Sequence, residues 1–115
     1  MDQTEKQIER LEQVFKDLDM PVRGKHCAGM EGLIKEGQEV MAENMDPEVM
    51  DAALIASAQK IEHYEISGYG TARAYAQALG HSSIARLLDQ TANEEGQTDK
   101  KLTALAESHI NVKAK

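Results

Sequence analysis

From Asp46-Pro47-Glu48 to Gly80 the chain contains nothing that forces a helix to end, and this one run decides most of what the molecule can become. Asp46 is a capping residue, Pro47 suits the first helical position, and Glu48 complements the positive end of the helix dipole. Gly68 and Gly70 weaken the run without breaking it. A helix over 47–79 is about 50 Å long. Gly80 permits the reversal that follows, and Ser82 or Ser83 offers a cap for the next helix. A helix of this length is stable in water only when its apolar stripe is covered, so the chain must fold back along itself.

Both halves of that hairpin carry acid where apolar side chains belong. The stripe of the long helix reads Leu54, Ala58, Ile61, Glu65, Gly68, Ala72, then Tyr75 or Ala76, and Leu79, with Glu62 on its border. The return helix reads Ile84, Leu88, Thr91, Glu95, then Thr98 or Asp99, Leu102 and Leu105. Glu65 and Glu95 stand equally far from Gly80 on either side, and Glu62 and Asp99 nearly so. An antiparallel hairpin therefore brings Glu62, Glu65, Glu95 and Asp99 to one level, about 22 Å from the turn. A carboxylate inside a bundle must take up a proton, pair with a cation or bind metal. Arg73 and Arg86 lie two turns or more from that level, and Lys60 and Lys100 point off the stripes. Converging carboxylates with alanine and glycine around them supply the hard oxygen ligands of a dinuclear iron or manganese site. At the same spacing, carboxylates also serve as solvated flanks or as partners of lysine.

The first half of the chain is less regular. Ile8, Leu11, Val14, Phe15 and Leu18 recur at helical spacing and give a helix over about 2–18. Pro21 disfavours helix at Met20, and Gly24 allows a turn. Cys27, Met30, Leu33, Ile34, Gly37, Val40 and Met41 mark a short helix over about 27–43. Its three glycines each cost about 1 kcal/mol relative to alanine, so it is expected to pack closely against a neighbour. The return helix is expected over about 83–109, with a polar tail that frays. The whole 1–115 chain is thus one all-α domain. Its 41% hydrophobic and 3% aromatic content, with no tryptophan, favours helix over sheet.

Charge excludes several function classes. A net charge of −7 repels a phosphate backbone or an anionic membrane, and no apolar run approaches the roughly 18 residues of a membrane span. Met1-Asp2-Gln3-Thr4-Glu5-Lys6 is no signal peptide. A cytoplasmic protein is expected, and the single cysteine agrees with a reducing compartment.

The run Asp51 to Ile66 containing Ile61-Glu62-His63-Tyr64-Glu65, followed by Gly68-Tyr69-Gly70-Thr71, resembles the YciF-like family of bacterial stress-associated proteins in the ferritin-like superfamily. Gly32-Leu33-Ile34-Lys35-Glu36 and the stretch from Asn93-Glu94-Glu95 to Thr98-Asp99-Lys100-Lys101-Leu102 share the likeness, which covers nearly the whole chain. It implies a ferritin-like antiparallel helical bundle with two long C-terminal helices, a short extra helix over Cys27 to Met41, and a di-iron or di-manganese carboxylate site. Glu62-His63-Tyr64-Glu65 also resembles the corresponding rubrerythrin helix, whose two acids are ligands; Glu95 matches the acid of the next ligand helix. The pattern departs where a histidine is usual one turn later, for Thr98 stands there with Asp99 after it. Gln3 and Gln7 occupy the positions of further ligands, and the chain enters the family's pattern partway through its second helix.

The remaining candidates have plainer readings. His63 lies about 100° round the helix from its neighbours and is expected to hydrogen-bond at the surface. His26, His81 and His109 fall at helix ends or in a loop. Cys27 is expected to be a buried or half-buried thiol, although Arg23, Lys25 and His26 surround it. Tyr64, Tyr69 and Tyr75 include candidates for a phenol near metal and otherwise pack with a hydrogen-bonded tip. Two functions follow: a metal protein handling oxygen, peroxide or iron, and a non-catalytic helical structural protein with a degenerate site. The long stripe of the third helix exceeds what the first two can cover, so a homodimer is expected.

Overall fold

A computed structural model describes residues 2–115, and every regular element among them is helical. Helix α1 spans Asp2–Asp17, α2 Ala28–Ala42, α3 Pro47–Ala78 and α4 Ser82–Leu105. A π-helical turn over Ala106–Ile110 passes α4 into a last short helix, α5, at Asn111–Lys113. The extra residue in that turn carries the helical path past His109, where the polar tail was expected to fray. Among the described residues, no helix is long and apolar enough to cross a membrane.

The α3–α4 hairpin is the spine of the molecule. Gly80 reverses the chain with φ of +80°, and the His81 N–H closes onto the Ala76 carbonyl at 2.8 Å. That conformation costs an L side chain energy that glycine does not incur. Gly80→Ala should therefore lower stability by about 1 kcal/mol, read as a fall of about 5 °C in the melting temperature. The caps differ from expectation: α4 starts after His81, ahead of either serine's capping position, and the Asp46 side chain makes no capping bond. Backbone bonds close both helix starts, from Met50 N–H to Asp46 O and from Ala85 N–H to His81 O.

The core is small. Val14, Ala76, Ile84, Ala85 and Leu88 form its centre, with Leu11, Tyr69, Ala72 and Leu87 packed against them. The α4 stripe is seated as expected through Ile84, Leu88, Thr91 and Glu95. On α3 it is Ala76 that faces inward, while Tyr75 and Leu79 remain 67% and 73% exposed, so the expected stripe fails at Leu79. Helix α2 packs on α3 and buries no residue completely. Cys27 is not the half-buried thiol expected of it, because α2 begins one residue later. The exposed sulfur caps the helix, accepting the Met30 N–H at 3.4 Å and sharing a 2.9 Å hydrogen bond with the Tyr64 hydroxyl. Gly29 lies against the Tyr64 ring, where an added Cβ would stand 2.7 Å from the hydroxyl oxygen. Helix α1 approaches α4 alone; its backbone stays clear of α3.

Candidate metal centre

Glu62 and Glu65 are three residues apart on α3 and so share a face. Across the hairpin, α4 presents Glu95, which is only 5% exposed. One carboxylate oxygen from each of the three lies within 4.8 Å of the other two. The four acids expected at one level thus divide three and one. Asp99 adjoins the cluster, but its Oδ1 already accepts from the His63 Nε2 at 2.8 Å and the Gln59 Nε2 at 3.3 Å. Gln59 also donates to the Thr103 hydroxyl at 2.7 Å, which fixes that side of the hairpin.

The three carboxyls cannot all remain ionised at neutral pH without a cation. Burial pushes Glu62 up to about 8, and a hydrogen bond with Glu95 and the charges of Glu95, Glu65 and Asp99 add to the rise. Burial likewise pushes Glu65 up to about 7, followed by the hydrogen bond and charge of Glu95. Glu62 Oε2 is buried and has no hydrogen-bond partner among the described residues. That orphaned oxygen is what a bound cation or a proton would satisfy.

Helix α1 brings polar partners to the other side of the cluster. Gln7 donates its amide to Glu95 at 2.9 Å and to Glu94 at 3.1 Å. Arg10 grips Glu94 with both terminal nitrogens, at 2.6 and 2.8 Å, and reaches the buried Thr91 hydroxyl at 3.2 Å. The Arg10 bond holds the Glu94 carboxyl below the usual carboxylate range. Glu94 is thereby committed as an ion-pair partner, while Glu95 has no cationic partner among the described residues. Sequence reasoning found Gln7 but missed Arg10, whose partner Glu94 lies across the α1–α4 contact. Tyr69, one turn after Glu65, is half-buried beside the acids, and burial followed by the Glu65 charge raises its hydroxyl. His63 is at the surface, as its angular offset required, and Gln3 is exposed. Removing Arg10 leaves a partly buried carboxylate without its cation. Arg10→Ala should cost about 2 kcal/mol in urea denaturation, with α1 loosened first.

The donor set fits one hard divalent ion. Three carboxylates and no sulfur or free imidazole suit iron(II) or manganese(II), with open positions remaining. Among the described residues, the neighbouring acids Glu94 and Asp99 are already paired with Arg10 and His63.

Known proteins share this fold. A family model for a domain of unknown function, DUF892, matches residues 1–115. Protein YciF of Escherichia coli is 47% identical over 115 residues, an overlap covering 99% of this chain and 69% of YciF. The crystal structure of that E. coli stress protein superimposes with a TM-score of 0.89, covering 96% of this chain and 70% of the other. YcfI from Rhodopseudomonas palustris, described as a candidate structural protein, is 49% identical with a TM-score of 0.86, covering 89% of this chain and 65% of its own.

Proposed function

Since the chain belongs to the DUF892 family, we propose that it is a stress-associated helical protein in which Glu62, Glu65 and Glu95 hold a divalent iron or manganese ion. The observation that carries this reading is the buried, unpartnered Glu62 oxygen within a cluster of three carboxylates. Two of these acids retain protons near neutrality and would surrender them to a cation, which makes binding tighter as pH rises. Gln7 orients the Glu95 carboxylate, and Arg10 keeps Glu94 from competing for the ion. Iron or manganese bound there would supply one-electron chemistry toward oxygen or peroxide. The three carboxylates would bind the ion, with the half-buried Tyr69 beside them one turn after Glu65.

A second reading, a non-catalytic structural protein, is favoured by one feature of the same cluster. A Glu62 that holds its proton to about 8 can hydrogen-bond Glu95, so the cluster can stand without metal. Elemental analysis after anaerobic Fe(II) loading separates the two. The metal reading expects a single ion per chain, lost when Glu65→Ala is combined with Glu95→Ala. Metal content unchanged in that double variant overturns the assignment; absence of metal in the wild type leaves the structural reading standing alone.

A further inference from the structure

Acid is spread along nearly the whole chain, with one gap. The protein carries 20 aspartates and glutamates in 115 residues, yet none falls between Ile66 and Leu88. Arg73 and Arg86 both lie inside that gap. It covers the end of α3, the turn at Gly80 and the start of α4, so this end of the hairpin is cationic although the net charge of the protein is −7. Folding gathers the two arginines around one open cavity of about 420 Å³, lined by Arg73 and Gln77 of α3 and by Ser82, Ala85, Arg86 and Asp89 of α4. Arg73 follows Glu65 by eight residues, about 12 Å along the helix, which sets the cavity apart from the acid cluster.

The one acid in the lining is already engaged. Asp89 accepts from Arg73 Nη1 at 2.6 Å through Oδ1 and from Asn93 Nδ2 at 3.4 Å through Oδ2. Arg86 takes part in no ion pair among the described residues, so its charge is unmatched. Arg73 is only partly used, for its Nε is buried and has no hydrogen-bond partner among the described residues. A donor left in that state costs free energy, and a small turn of the guanidinium toward the cavity would give it an oxygen of a bound anion. We infer that this cavity binds a phosphate group, as inorganic phosphate or on a small monoester, with Arg86 as the principal cation and Arg73 and Gln77 as further donors. Phosphate is the oxyanion whose charge and spread of oxygens match two guanidinium forks, whereas one carboxylate satisfies one fork. The volume is in the range of small-molecule sites, which leaves room for an organic group on the ester.

Isothermal titration calorimetry with inorganic phosphate, at constant ionic strength, tests the inference on metal-free protein, so the result does not depend on the metal reading. Saturable binding of one phosphate per chain is expected. Arg86 is exposed, and Arg86→Gln should weaken binding about tenfold. Asp89→Asn should tighten it about threefold, because the carboxylate that opposes the anion and holds Arg73 is gone. Arg23→Gln, in the exposed segment ahead of α2 and outside the cavity, should leave it unchanged. Circular dichroism checks that Arg86→Gln folds; if it does not, Arg86→Lys takes its place and should weaken binding about threefold, since the charge stays and the fork is lost. Acetate in place of phosphate should bind about tenfold more weakly. No saturable heat with the wild type overturns the proposal. So do an Arg86 variant that binds as tightly as the wild type, an Arg23→Gln loss as large as that of Arg86→Gln, and acetate binding equal to that of phosphate.

Discussion

Adding Mn(II) to the metal-free protein is expected to raise its melting temperature, and Glu65→Ala combined with Glu95→Ala to erase the rise. A ligand that binds only the folded state stabilises it in proportion to the logarithm of its concentration over Kd. At one hundred times Kd the gain is about 2.7 kcal/mol. For a domain of this length that corresponds to about 10 °C. The double variant has a second diagnostic property. It removes two carboxyls that oppose one another in the apo state, so the apo variant should lose less stability than ordinary truncation at a buried site. A metal-dependent rise that persists in it would show that the ion binds elsewhere. Differential scanning calorimetry with and without Mn(II) reads both quantities.

Metal-free protein should become less stable as pH rises from about 5 to about 8, the opposite of a protein whose buried acids are salt-bridged. In the unfolded chain a glutamate releases its proton near pH 4.3. The folded chain keeps it on Glu65 to about 7 and on Glu62 to about 8. Across that window the native state therefore binds more protons than the unfolded one, and stability falls with pH until both have dissociated. Below the unfolded value neither state carries the penalty; above about 8 the loss is complete. The exposure of these groups to solvent reduces the size of the effect, and a fall of about 5 °C in melting temperature between pH 5.5 and 8.5 is expected. Glu62→Gln should flatten this slope, which separates the cluster from the four histidines of the chain. Saturating Mn(II) should reverse it, because the ion takes the place of the protons. A slope unchanged by Glu62→Gln would mean that the cluster does not govern it.

The hairpin and its acids are legible in the sequence because both depend on local rules. Pro47 starts α3, Gly80 ends it, and the separation of Glu62, Glu65 and Glu95 from that turn fixes their level by helix geometry alone. The role of Asp99 is less legible, since one residue decides whether a side chain meets Glu62 or turns to Gln59 and His63. Arg10 escapes for a different reason: its pairing with Glu94 depends on how α1 slides along α4, and no local pattern sets that register. Cys27 was misjudged through its position relative to the start of α2, where a cap and a buried side chain are one residue apart. Leu79 shows the same limit at the far end. Its periodicity is right for the stripe, but the helix ends at Ala78 and leaves it beyond the packed face.

The link formed by Leu79, Gly80 and His81 is the shortest segment joining any two of the long helices, yet it sets the placement of the acids. Adding one residue there would advance every position of α4 by about 1.5 Å and turn it through about 100°. Glu95 would swing out of the cluster, and its neighbour, Glu94, would swing in with Arg10 still attached. The length of this turn is therefore constrained as tightly as the identity of the carboxylates, and it should tolerate exchange of residues far better than a change in their number.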